Sequence, residues 1–278
     1  MKIAIDEAAC LKCLRCQRVC PSGVYEAESG QVPRVVAPDG CISCGHCVDV
    51  CTAGCIRHES FPEGTVREIR AELLPKPEQL MELMRSRRSN RTITSRPIPE
   101  EALADILEAA RYAPTAENSR RVVVTVISSP ERLQAIEDAV MRLFLSMKNV
   151  LTSAPVKPLT RALLPNLYAQ APALERFRLL WEAGKRPCLC EGTALLVFSA
   201  PKGYDFGWQD CNLAYQNASL MAEAHGVSQV YMGLVQTALR FMPSRRASRL
   251  LSLPRGHKAY ALMSLGVPAL RYGRYTVR

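Results

Sequence analysis

Apolar residues recur in this chain at two spacings, and those spacings predict which stretches are helices and which are strands. From 78 to 87 Leu80, Leu83 and Met84 fall on one helical face, and from 100 to 112 Leu103, Ile106, Leu107 and Ala110 do the same. Ala113-Pro114-Thr115-Ala116-Glu117-Asn118 then breaks the second helix, since proline cannot continue its hydrogen-bond ladder. The β-branched run 122–128 predicts a strand, and 194–199 a second one. Between 141 and 191, Leu174, Phe177, Leu180 and Trp181 repeat at helical spacing, which suggests a helical cap that packs or covers a pocket. A long helix opens at Asp210 and runs through Gln216, Leu220, Met221 and Ala224 to His225-Gly226. Strand-like segments follow at 227–233 and 257–268. Residues 23–35 read as a short hairpin turning at Ser29-Gly30. The polar stretch from Glu59 to Pro77, punctuated by Pro62, Gly64, Pro75 and Pro77, reads as a linker. Three segments result: a small domain over 1–57, a linker over 58–77 and a larger domain over 78–278.

Cysteine changes this picture. Nine of the twelve cysteines lie in the first fifty-five residues, eight of them in two runs: Cys10, Cys13, Cys16 and Cys20, then Cys41, Cys44, Cys47 and Cys51. In each run three cysteines are two residues apart and a fourth follows after three more. One zinc ribbon needs two close pairs, so two runs of four supply more thiolates than it can use. Disulfides require an oxidising compartment, to which nothing in the chain points. The spacing resembles that of the bacterial two-cluster ferredoxins, in which the fourth cysteine of each run ligates the other cluster. The resemblance implies two 4Fe-4S clusters, one held by Cys10, Cys13, Cys16 and Cys51, the other by Cys41, Cys44, Cys47 and Cys20. Two departures stand out: Thr52 follows the second run where these ferredoxins usually carry proline, and Cys55 occupies a position where a small residue is common. Cys55 reads as a small buried thiol, and His46, inside the second run, as a candidate for tuning a cluster through its sulfur.

Charge separates the two parts as well. Residues 1–60 carry six Lys or Arg against seven Asp or Glu, which leaves thirty against nineteen for the remainder and a net +10 overall. A basic larger domain points to an anionic ligand or an acidic docking partner. Nucleic acid is the weakest partner, because the basic residues are scattered and accompany no recognised binding motif. The first seven residues lack an apolar h-region, and no segment holds eighteen uninterrupted apolar residues. A cytoplasmic protein without a membrane partner is therefore expected.

In the larger domain, Arg87-Arg88-Ser89 with Arg91, an amphipathic helix, the motif ending at Asn118 and a valine-rich strand follow in an order that resembles the FMN-dependent nitroreductases. The helix from Asp210, the segment Tyr231-Met232-Gly233 and the strand before Pro268 extend the likeness over about 78–275. It implies an α+β fold, a central mostly antiparallel sheet flanked by helices, fused here to the small ferredoxin-like domain. It also implies FMN in a homodimer, with the flavin sites at the subunit interface. Arg87, Arg88 and Ser89 match phosphate and ribityl contacts, for which the guanidinium fork is suited. Arg91 matches the cation near the pyrimidine edge, where negative charge collects on reduction. Asn118 matches the asparagine that reaches the ring, Met232 and Gly233 the backbone that passes it, and Arg274, or Arg271, a second phosphate ligand. After Asn118 the chain departs from the family: Arg120-Arg121-Val122 stands where Gln-Pro-Trp is usual.

No side chain is needed as a catalytic acid or base, since the flavin carries the chemistry. The reading that follows is an oxidoreductase taking electrons from a ferredoxin-like donor or NAD(P)H through clusters and FMN to a small planar acceptor such as a nitroaromatic, quinone or enone. No Rossmann-type glycine fingerprint marks a dedicated nicotinamide domain. The altered residues after Asn118 motivate an alternative, an electron carrier or redox sensor with a degenerate flavin pocket. A flavin-destroying or dehalogenating member of the same fold is a third. His58, His225 and His257 read as structural, Cys188 and Cys190 as ordinary thiols, and Cys211 as core.

Overall fold

A computed structural model of the chain describes residues 2–154, 156–163 and 171–277. It divides into two units, Met1–Pro75 with Thr115–Arg120, and Lys76–Pro114 with Arg121–Arg278.

The first unit is built from very short elements. Strand β1 (Ile3–Ile5) pairs antiparallel with β4 (Ile56–His58), Ile3 facing His58 and Ile5 facing Ile56. Strands β2 (Tyr25–Glu26) and β3 (Arg34–Val35) form the hairpin expected in the spacer, with Gly30 in the left-handed region that its turn requires. Helices α1 (Arg15–Val19) and α2 (His46–Asp49) each begin inside a cysteine run. The two runs share a backbone pattern. The second and fourth residues after the leading cysteine, Lys12 and Leu14 in one run and Ser43 and Gly45 in the other, all have positive φ. Only a handful of side chains are buried in this unit, among them Val24, Tyr25, Cys47, Cys55 and Ile56. The chain from 62 to 80 is exposed throughout.

The second unit has an antiparallel four-stranded sheet in the order β5 (Val123–Ile127), β6 (Ala194–Pro201), β8 (His257–Gly266), β7 (Ser228–Tyr231). Alternation along the central strands feeds two cores. Leu195 and Val197 of β6 join one, and Ala194, Leu196, Phe198 and Ala200 join the other, as side chains of a strand must point to opposite faces in turn. A bulge interrupts the register: Phe198 faces Ala261 and Ser199 faces Ala259, so Tyr260 is an extra residue on β8. Its carbonyl, off the ladder, accepts from the Gln236 side chain at 2.8 Å.

Helices cover both faces. Helix α3 (Pro77–Ser86) is followed by α4 (Glu100–Arg111), where Ala102, Ile106 and Ala110, four residues apart, are buried. Glu100 and Glu101 at its start and Arg111 at its end suit the helix dipole. Helix α5 (Pro130–Thr152), capped by Ser129, buries Leu133, Ile136, Val140, Met141 and Phe144 in the other core. Helices α6 (Lys157–Leu163) and α7 (Ala171–Glu182) come next. In α7 Leu174, Phe177 and Trp181 pack on the α5 core, and the Trp181 indole donates to Asp138 at 2.8 Å. Leu180 departs from that expectation: it is exposed, because at 100° per residue it lies well off the face the other three share. Residues 155 and 164–170 of the cap lie outside the described residues. Helix α8 (Gly207–Ala224) presents Cys211, Ala214, Ala218 and Ala222 to the sheet, small side chains that allow close approach. It starts three residues before the expected Asp210, whose buried carboxylate instead accepts from the Tyr204 hydroxyl at 2.6 Å. Helices α9 (Gly233–Phe241) and α10 (Ser244–Leu250) complete the unit. Among the described residues no helix is long and apolar enough to cross a membrane.

Candidate functional site

Two small apolar cavities in the first unit are each walled by cysteines. One is lined by Cys10, Cys13, Cys16, Cys51 and Cys55, the other by Cys20, Cys41, Cys44 and Cys47 with Tyr25 and His58. In each case the far cysteine of one run has come to the near three of the other.

Backbone N–H groups point at these sulfurs. Lys12 donates to Cys10, Ser43 to Cys41 and Val24 to Cys20, each at 3.4 Å. The left-handed residues in both runs aim the Lys12 and Ser43 donors, since alternating helical hands turn successive N–H groups into one concavity suited to an anion. At Cys51 burial disfavours the thiolate, but the N–H groups of Cys55, Ala53 and Gly54 and the Cys55 thiol outweigh it and hold the group below its ordinary value. Cys55 itself, 3.4 Å from Cys51, is pushed up to about 12 by burial and by its bond to Cys51, and so stays a neutral thiol. The Tyr25 hydroxyl is buried against the Cys47 thiol and finds no other partner among the described residues. Donors aimed into an apolar pocket, with four thiols spread around it, fit a polynuclear iron–sulfur group whose sulfides accept hydrogen bonds. Among the described residues no three Cys, His or acidic side chains converge on one ion, and a cluster, which gives each thiolate its own iron, does not ask them to.

In the second unit the basic segment that leaves α3 is stitched to β7. Ser89 forms a parallel bridge with Gln229. The Gln229 amide donates to the Arg88 carbonyl at 3.2 Å and accepts from the buried Tyr215 hydroxyl at 2.8 Å, while Ser228 donates to the Asn90 carbonyl at 2.6 Å. Asn90 continues the seam by donating to the Leu270 carbonyl at 2.6 Å. This holds Arg87, Arg88 and Ser89 along the strand that runs through Tyr231 into Met232 and Gly233. Met232 is buried and its N–H extends the sheet to the Leu262 carbonyl, whereas Gly233 opens α9 with free space where a side chain would be.

Cations, a helix N-terminus and an uncluttered glycine on one strand edge fit a planar ligand bearing a phosphate. Arg91 donates to the Ser89 carbonyl at 3.3 Å and lies near Cys190. Arg274 is exposed in the irregular C-terminal segment, and the Arg271 guanidinium lies at Gly226.

Asn118 falls in the first unit with the rest of Thr115–Arg120. Its amide donates to the carbonyls of Ser43 at 2.6 Å and Ile42 at 3.3 Å, and Arg120 also reaches the Ser43 carbonyl, at 3.4 Å. The departure from the family after Asn118 thus coincides with a polar attachment to the second cysteine run.

Two features escaped the sequence. Glu137 of α5 is fully buried and accepts from the N–H groups of Cys188 and Leu189 at 2.9 and 3.0 Å; burial pushes its carboxyl up to about 7. An acid inside the apolar stripe of α5 was the available signal. His58, 3.4 Å from the Cys41 sulfur, is the other, whereas His46 is exposed.

Comparison with known proteins agrees with both units. Residues 2–52 match the 4Fe-4S dicluster domain and residues 84–267 match the nitroreductase family. A protein of Archaeoglobus fulgidus with the provisional name NADH dehydrogenase/NAD(P)H nitroreductase is 25% identical over 195 residues, 69% of this chain and 86% of that protein. Two solved nitroreductases with bound FMN share the fold. That of Bacteroides fragilis has a TM-score of 0.55 at 20% identity, covering 72% of this chain and 95% of its own. That of Desulfitobacterium hafniense has a TM-score of 0.54 at 19% identity, covering 72% and 94%. With its family match spanning most of the chain behind an N-terminal iron–sulfur domain, this protein belongs to the nitroreductase family of oxidoreductases.

Proposed function

We propose that the chain takes in low-potential electrons singly at two 4Fe-4S clusters and delivers them from FMN to a small planar acceptor, a nitroaromatic, quinone or enone. Cys10, Cys13, Cys16 and Cys51 would hold one cluster and Cys41, Cys44, Cys47 and Cys20 the other. What supports this most directly is that each set of four lines its own cavity. FMN, when bound, supplies the exchange between one-electron and two-electron carriers. Arg87, Arg88 and Ser89 would bind its phosphate and ribityl chain, and Arg274 the phosphate from the C-terminal side. Arg91 would set positive charge at the edge where reduction adds negative charge, a fixed field that favours the reduced state. Asn118 joins this set by resemblance to the family. The N–H groups that follow Met232 would face the ring. Electrons would come from a ferredoxin-like donor or from NAD(P)H.

The active form would be a homodimer with FMN at the interface. The apolar residues Leu80, Met81 and Met84 of α3 and Trp208 and Leu213 of α8 are exposed in the single chain, an arrangement a second copy would cover.

The test is anaerobic. Iron, sulfide and FMN are counted per chain, and the visible spectrum is followed through a reductive titration. About eight iron and one FMN, with cluster bleaching coupled to flavin reduction, is the expected result. Eight iron without FMN, even after reconstitution, would sink the reductase reading and leave an electron carrier.

A further inference from the structure

His58 closes the second cysteine-lined cavity from β4, and its ring is held on both sides. Nδ1 accepts the Ser60 N–H at 3.1 Å, and Nε2 lies 3.4 Å from the Cys41 sulfur. A neutral imidazole has one donor and one acceptor nitrogen, so with Nδ1 accepting, the hydrogen sits on Nε2 and points at the sulfur. The ring cannot easily turn away. His58 is 5% exposed, its backbone pairs with Ile3 across the sheet, and Phe61 packs against it at 4.9 Å between ring centroids. The turn that carries Ser60 is itself tied to the cysteine run through the Ser43 and Ser60 hydroxyls at 3.0 Å. Cys41 therefore receives two N–H groups, from Ser43 and from His58. Cys10, its counterpart in the first run, receives the Lys12 N–H but no side-chain nitrogen among the described residues.

We propose that His58 is a positioning residue whose Nε2–H donates to the Cys41 thiolate and raises the reduction potential of the second cluster. This rests on reading Cys41 as a cluster ligand. Reduction adds negative charge that spreads onto the sulfurs, and a hydrogen bond to a charged acceptor is stronger than one to a neutral acceptor. The reduced state gains more from the donor than the oxidised state, which shifts the potential upward.

The experiment is an anaerobic potentiometric titration of the full-length protein, read by the EPR signals of the two clusters, for wild type, His58→Leu and His58→Gln. In His58→Leu one midpoint should move to more negative values by about tenfold in the reduction equilibrium, about 59 mV for one electron, while the other stays in place. His58→Gln, which keeps an N–H donor, should restore most of the difference. Unmoved midpoints, equal movement of both, or a Gln variant as displaced as Leu would overturn the proposal. Iron and sulfide counts on the wild type decide separately whether the clusters exist at all. A variant that lost iron would leave the wild type to decide. Reduced protein grown with 15N-histidine, with His46→Gln as the background, should show a nitrogen hyperfine coupling in pulsed EPR, and its absence would overturn the assignment.

Discussion

The two units solve the problem of an interior differently. The second buries two continuous apolar layers on the faces of one sheet, with Leu195, Leu196, Val197, Phe198, Leu262 and Met263 fully enclosed. The first buries a few side chains, and cysteines make up much of what surrounds them. A segment that short rarely collects enough apolar area to offset its conformational entropy. A group bound among these cysteines would be part of the first unit's interior, whereas one bound to the second unit would be a guest on a finished fold.

The largest effect should come from removing iron. Chelation, or Cys47→Ala, should abolish hydrogen-exchange protection over β1 and β4 while the sheet of the second unit keeps its own, as expected where metal binding and folding are one event. Equal loss in both units would erase the distinction. The converse test is Phe198→Ala, which leaves a cavity in the second unit and should cost about 3–5 kcal/mol by denaturant unfolding. Cluster absorbance below the transition should not change.

A subtler test is pH. Below about 4.5 Glu137 would be protonated whether the chain is folded or not, and its burial costs little. Between about 4.5 and about 7 the folded chain holds a proton that the unfolded chain has released, so stability falls as pH rises, by about 3 kcal/mol at most. Above that the deficit is complete. Glu137→Gln should flatten this part of the stability profile in the second unit, and an unchanged slope would remove Glu137 as its source. The smallest effect expected is that of Gln229→Ala. It releases the Arg88 carbonyl and strands the buried Tyr215 hydroxyl, at about 1–3 kcal/mol. FMN affinity measured by flavin fluorescence should fall about tenfold as the basic segment loosens, with the cluster spectrum unaffected.

Much of this was legible along the chain. Helices α3 and α4, the central strands and the hairpin at Gly30 follow local periodicity and turn chemistry, which spacing alone encodes. The two cysteine runs stand out because their uneven spacing is one that no apolar core requires, and it is what ligand chemistry would leave. What stayed hidden depends on which parts of the chain meet. Residue 58 reaches Cys41 because β4 folds back across β1, and nothing local distinguishes it from His46, which sits in the run itself yet faces solvent. Asn118 reads locally as a ring contact by resemblance, but its attachment to Ser43 and Ile42 spans more than seventy residues. Glu137 is buried because Cys188 and Leu189, some fifty residues on, supply its donors, and that meeting is not encoded locally.

The bulge at Tyr260 bears on how this sheet can change through descent. Losing a codon elsewhere in β8 would put the residues on one side of the gap onto the wrong face, and both faces are core. Tyr260 is different. On either side of it Ala259 belongs to one core and Ala261 to the other, so its deletion would rejoin two stretches already in step. The loss would be the carbonyl that accepts from Gln236 and the ring, which lies where a side chain on Gly207 would otherwise fit. An indel in this strand, if lineages carry one, belongs at that position, accompanied by a larger residue at 207.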